Sequence, residues 1–199
     1  SSTKFRNKLN MIEFKVLRYR NFLSSGNTFT EIKLDQAKHL LDQYLPIYPD
    51  SIQLNLMSAE YYFHLYDTAY DNVKGDFGAY WMKEVDAFTY TENSLYHNEL
   101  ALQQAYDAIS KAASIDPNHV EVLESLATYY VKYRRNIKGC EYERKAAESG
   151  SSKCLVNVGV RKYKAGNLDE AEHLFQKAIA VNSSNGVAYQ NLATVLLDK

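Results

Sequence analysis

Asn157 and Asn191 stand 34 residues apart, each two positions before a small residue, Gly159 or Ala193. A carboxamide carries both a donor and an acceptor, so a row of such groups can pair with the N–H and C=O of an extended peptide without any covalent step. Groups suited to bond-making are scattered by comparison. The five histidines (His39, His64, His97, His119, His173) form neither H-E-x-x-H nor a Cys/His cluster with zinc spacing. Asp67–Asp76 is rich in Asp and Asn but lacks the alternating ligands and closing Glu of a calcium loop. No G-x-S-x-G or Cys/His nucleophile signature occurs. Cys140 and Cys154 fall on predicted helices with no further Cys beside them, and read as reduced, partly buried small residues. The expected chemistry is recognition rather than catalysis, with no metal and no cofactor.

Composition narrows the partner. The 199 residues carry 23 basic and 24 acidic side chains, a net charge of -1, which does not suggest nucleic acid or an anionic membrane. No apolar run approaches the ~20 residues of a membrane span. No signal-peptide pattern opens the chain, so a reducing cytoplasm is the expected location. Basic residues do cluster at Lys4–Arg20 and Lys132–Lys138. Each cluster is either a solvated helix face or a contact for phosphate or an acidic peptide, and nucleic acid would need a wider basic surface.

The elements that must position these side chains are helical. Only 3 prolines and 8 glycines interrupt the chain, and periodicity predicts helices near 4–24, 29–46, 51–70, 78–92, 95–115, 119–133, 137–149, 152–164, 168–182 and 186–198. Thr28 with Glu31, Asp50 with Gln53, Asn118 with Glu121, and Asn167 with Glu170 have the spacing of reciprocal helix N-caps. Pro49 and Pro117, 68 residues apart, separate helix pairs. Small residues recur where helix backbones must approach: Ala59, Ala127, Gly159 and Ala193 on first helices, and Ala37, Ala105, Gly139 and Ala171 on second helices. Leu155 to Tyr189 repeats the 34-residue interval, the mark of a stacking unit.

Leu123, Leu126, Ala127 and Tyr130, followed by Ala171, Phe175 and Ala178 on a second helix and by the two prolines, resemble the tetratricopeptide-repeat (TPR) pattern. The stretch 144–166, RKAAESGSSKCLVNVGVRKYKAG, resembles the related Sel-type variant. The resemblance covers 95–199 well and 30–65 fairly. It implies an all-α, TPR-like superhelix (α-solenoid) of antiparallel helix hairpins as a single domain over 1–199, with an N-terminal hairpin at 1–50. Lys162 stands where a Tyr is usual and Ser183 where the closing Pro is usual. Residues 66–94 do not fit a repeat; eleven aromatics crowd Tyr61–Tyr96, and the segment reads as a helical insert with a loop at Asp71–Gly78. Residues 11–35 form either a helix or a β-hairpin. They also resemble the first strands of SMC-like ATPase heads, yet no G-x-x-x-x-G-K-[ST] exists in the chain, so ATP hydrolysis is unsupported.

The family resemblance implies that first helices line a concave groove where Asn157 and Asn191 hold a peptide backbone. Glu124, Thr128, Lys153, Tyr163, Gln190 and Thr194 are their expected neighbours, with Glu121 and Val160. The Lys/Asn clamp for chaperone C-terminal carboxylates is absent, since Val156, Val160, Glu124 and Thr128 occupy its positions. The expected function is a non-catalytic scaffold for a partner peptide. A self-association subunit using the aromatic insert and the C-terminal helix is the alternative, and an ATPase-associated module a weaker one.

Overall fold

A computed structural model describes the backbone of residues 31–76 and 84–199, and the side chains of 36–67 and 99–199. The predicted helix 4–24, the Thr28 cap and the SMC-like stretch before Glu31 lie outside the described residues. Eight α-helices are present among those described: α1 (Glu31–Tyr44), α2 (Ile52–Asp76), α3 (Glu84–Ile115), α4 (Val120–Thr128), α5 (Lys138–Glu148), α6 (Ser152–Lys164), α7 (Leu168–Val181) and α8 (Gly186–Leu197). A π-helical turn, Tyr129–Tyr133, extends α4. Contacts divide the chain into two units, Ser1–Ile115 and Asp116–Lys199.

In the first unit, α1 packs on α2 and α2 on α3. Ala37, Leu41, Leu54, Met57 and Tyr61 form one core cluster. The turn before α2 is tied by Asn55, whose Nδ2 donates to the carbonyls of Pro49 and Ser51, both at 2.9 Å. Two expectations fail here. The helix α2 runs through Asp71–Asp76, where a loop was expected, because a lone Gly75 costs a helix only ~1 kcal/mol and does not end it. The predicted helices 78–92 and 95–115 are continuous from Glu84, since Asn93 and Ser94 are mild helix disfavourers with no proline or glycine beside them.

In the second unit, antiparallel neighbours pack in order: α4 with α5, α5 with α6, α6 with α7, α7 with α8. Direct packing of α6 on α8 places first helices side by side. Phe175 is enclosed by a cluster that includes Ala146, Ala147, Leu155, Ala171, Ala178, Ala188 and Val195. Gly159 lets it approach: a Cβ at that position would lie 2.6 Å from the ring.

Helix ends differ from the predicted reciprocal caps. Ser51, not Asp50, caps α2, its Oγ accepting from Leu54 N–H at 3.3 Å, while Asp50 pairs with Lys111 at 2.7 Å. The Asn118 N–H donates to Asp116 Oδ1 at 3.0 Å, and the helix starts from His119 rather than Asn118. Likewise Asn167 N–H donates to the Lys162 carbonyl at 2.9 Å and Glu170 pairs with Lys162. That bond belongs to a Schellman closure of α6 around Gly166, whose φ of 81° suits glycine. The same closure ends α5 at Gly150, φ 95°, with Ser151 N–H donating to Ala146 O at 2.9 Å. Ser151 then caps the next helix, accepting from Cys154 N–H at 3.0 Å.

Both cysteines are free, Cys140 exposed and Cys154 buried. Burial pushes the Cys154 thiol up, away from the reactive thiolate. A disulfide reagent added to the native chain is expected to titrate one thiol quickly and the second only after denaturant. Two fast thiols would contradict this packing.

Candidate functional site

The proposed groove residues all lie on first helices of the second unit, and bonds join those helices into a row. Between α4 and α6, Ser151 Oγ donates to Glu124 Oε1. Between α6 and α8, Asn185 Nδ2 donates to Ser152 Oγ at 2.8 Å, and the Tyr163 hydroxyl donates to Asp198. That carboxylate partner raises the Tyr163 pKa, because ionising the phenol would lose the bond and place two negative charges together.

Around this row the individual side chains are placed differently. Asn157 is half-buried, and its Nδ2 donates across to Glu143 Oε1 at 2.8 Å. Asn191 Nδ2 instead donates to its own helix, to Val187 O at 2.8 Å. Each Nδ2 donates one of its two N–H groups, and each Oδ1 accepts from no other group among the described residues. Thr128 Oγ1 donates to Glu124 O at 2.9 Å, and Thr194 Oγ1 to Gln190 O at 3.1 Å. Lys153 and Gln190 are exposed, while Glu121 and Val160 are half-buried.

Glu143 is the residue that sequence reasoning missed. It is only 4% exposed, held by Arg161 and Asn157. A buried carboxylate persists only when paired and hydrogen-bonded. Its signal was positional: Gly139, Glu143 and Ala146 on α5 have the same spacing as Ala171, Phe175 and Ala178 on α7. A charge therefore stands at the core position of an aromatic, and must find partners on the adjoining helix.

The small-residue pattern holds along the inner helices, with Ala37, Ala59, Ala105, Ala127, Gly139, Gly159 and Ala171 buried. Ala193 departs from it and is exposed. Tyr189 is 48% exposed, unlike its register mate Leu155, and Val187, Leu196 and Leu197 are also exposed. Among the described residues, no helix is long and apolar enough to cross a membrane, and no group of three or more His, Cys, Asp or Glu could hold a metal ion.

No protein-family model matches the chain, and no curated protein matches it. Solved structures do. TTC0263, a thermophilic TPR protein of Thermus thermophilus, superposes with a TM-score of 0.53 at 14% identity, covering 96% of this chain and 93% of that one. YrrB, described as a TPR protein with an unusual peptide-binding site, gives a TM-score of 0.38 at 18% identity, covering 96% and 97%. The first likeness, with the helix order above, establishes the fold class: all-α, TPR-like, built of antiparallel helix hairpins.

Proposed function

We propose that the chain is a non-catalytic scaffold that binds a partner peptide along the first helices of its second unit. The observation that carries this reading is the joined row α4, α6 and α8, with polar side chains spaced along it. A preformed row needs no ordering on the scaffold side, so several weak contacts can add to useful affinity. The bonds within the row refine the role of the two asparagines. One N–H of each Nδ2 already donates, so the carboxamide oxygen and the remaining N–H are the groups left to pair with peptide N–H and C=O. Glu143 sets the orientation of Asn157, and so acts as a positioning residue. Glu124, Thr128, Lys153, Tyr163, Gln190 and Thr194 flank the path. The binding is taken to occur in the cytoplasm.

The test uses a peptide selected from a displayed library against the whole chain. Asn157→Ala with Asn191→Ala is expected to weaken its binding about tenfold, as two net hydrogen bonds are worth about 0.5–1.5 kcal/mol each. Helicity by circular dichroism should be unchanged. Undiminished affinity with an intact fold would remove the asparagine ladder.

The exposed apolar face of α8 favours a second reading, self-association through the C-terminal helix. Light scattering that gives a monomer mass at every concentration would eliminate it. The aromatic-insert half of that reading rests largely on residues outside those described.

A further inference from the structure

The segment Tyr129–Cys140, YYVKYRRNIKGC, holds four cations and no acid. Two of the charges stand where folding alone would favour another residue. Arg135 has a left-handed φ of 46°, the one such non-glycine residue among those described, a conformation that costs an ordinary side chain ~1–2 kcal/mol and that Asn or Gly adopts more readily. Lys138 opens α5, at the positive end of the helix dipole, where a cation is unfavourable. Beside it Ile137 is 85% exposed.

The side chains of Arg135 and Lys138 make no ion pair or hydrogen bond among the described residues. The acids of α5 pair directly with other cations, Glu141 with Lys145 at 2.9 Å, Glu148 with Arg144 at 2.5 Å, and Glu143 with Arg161, and Lys138 adds only a longer-range attraction to Glu141. The loop is nonetheless firmly held. Arg134 Nε donates to the Tyr129 hydroxyl at 2.9 Å, Asn136 N–H to Tyr130 O at 2.8 Å, and Lys138 N–H to Asn136 Oδ1 at 2.9 Å. Cations and an apolar knob are thus presented from an ordered backbone, which lowers the entropy lost on binding.

We propose that the loop Lys132–Lys138 docks an acidic segment of a partner protein, with an apolar residue of that segment covering Ile137. Charge complementarity supplies orientation and speed of encounter. Nucleic acid and anionic lipid share the charge, but the patch is one loop of a near-neutral chain, narrower than nucleic-acid binding needs and short of the two signals that stable membrane anchoring takes. A peptide matches the juxtaposition of charge and a single apolar side chain at residue spacing.

The test measures fluorescence anisotropy of a labelled twelve-residue Asp/Glu peptide with one central Leu, titrated with the whole chain. At ~50 mM salt, where surface charges are weakly screened, binding is expected. Arg135→Asn with Lys138→Gln should weaken it about tenfold, with melting temperature kept or raised because both changes relieve local cost. Lys164→Gln with Lys177→Gln makes the same charge change elsewhere and should leave binding unaltered, while Leu→Ser in the peptide should reduce it. If the double variant loses helicity, Ile137→Ser reads the same contact and should weaken binding. No binding, equal loss in both double variants, or tighter binding of poly-uridylate or phosphatidylserine vesicles than of the peptide would overturn the proposal.

Discussion

Phe175→Ala is expected to lower the stability of the second unit by about 3–5 kcal/mol, the usual cost of emptying an aromatic from a closed core. Phe175 is 1% exposed and belongs to a core cluster with residues from five helices, α4, α5, α6, α7 and α8. Its ring also fills the notch left by Gly159, so the void would open at a close helix–helix contact. A whole domain is stable by only about 5–15 kcal/mol, so the loss is a large share. Urea unfolding followed by circular dichroism should show a markedly lower midpoint. A shift worth less than about 1 kcal/mol would mean that α7 is not packed as described.

Gly139→Val should destabilise by about 3 kcal/mol, at the upper end of ordinary overpacking. Intrinsic propensity argues the other way, because glycine inside a helix is ~1 kcal/mol worse than alanine. The clash decides the sign. A Cβ on residue 139 would overlap Val131 Cγ2 and lie 2.8 Å from the Val131 backbone nitrogen. A backbone atom cannot rotate aside, so α5 must shift off the π-helical turn. Gly139→Ala should show the same sign at smaller size, since part of the clash cost is offset by the regained propensity. A stabilised Gly139→Ala variant in thermal melts would contradict the close approach.

The placement of Gly139 illustrates what was legible in advance. Small residues at fixed offsets announced where helices meet, because only small side chains permit that approach. The partner of each contact was not announced. For Gly159 it is a phenyl ring, and for Gly139 it is the side chain and backbone of Val131 in the π-helical turn. That turn leaves Tyr129–Tyr133 helical in periodicity, so the pattern of apolar residues cannot reveal it.

Cap chemistry fared less well for a related reason. A Ser, Asp or Asn three residues before Glu or Gln marks the neighbourhood of a helix start. Whether the box forms depends on which N–H groups other bonds have already taken. At Asn167 the preceding helix takes the N–H through its own closure, and at Asn118 Asp116 takes it. The candidate groove shows the same division. The 34-residue spacing of Asn157 and Asn191 was visible along the chain, yet one donates to a buried carboxylate on another helix and the other to its own backbone.

Helical periodicity, small-residue spacing and the 34-residue interval determined a stacked all-α architecture from the sequence by itself, because each depends only on offsets along one chain. Tertiary structure alone decided that Glu143 is buried and bonded to Asn157, that Ala193 is exposed, and which group each asparagine side chain donates to. The physical reason is that hydrogen-bond satisfaction and burial are set by whichever groups arrive from other helices, and their arrival is a property of packing in three dimensions.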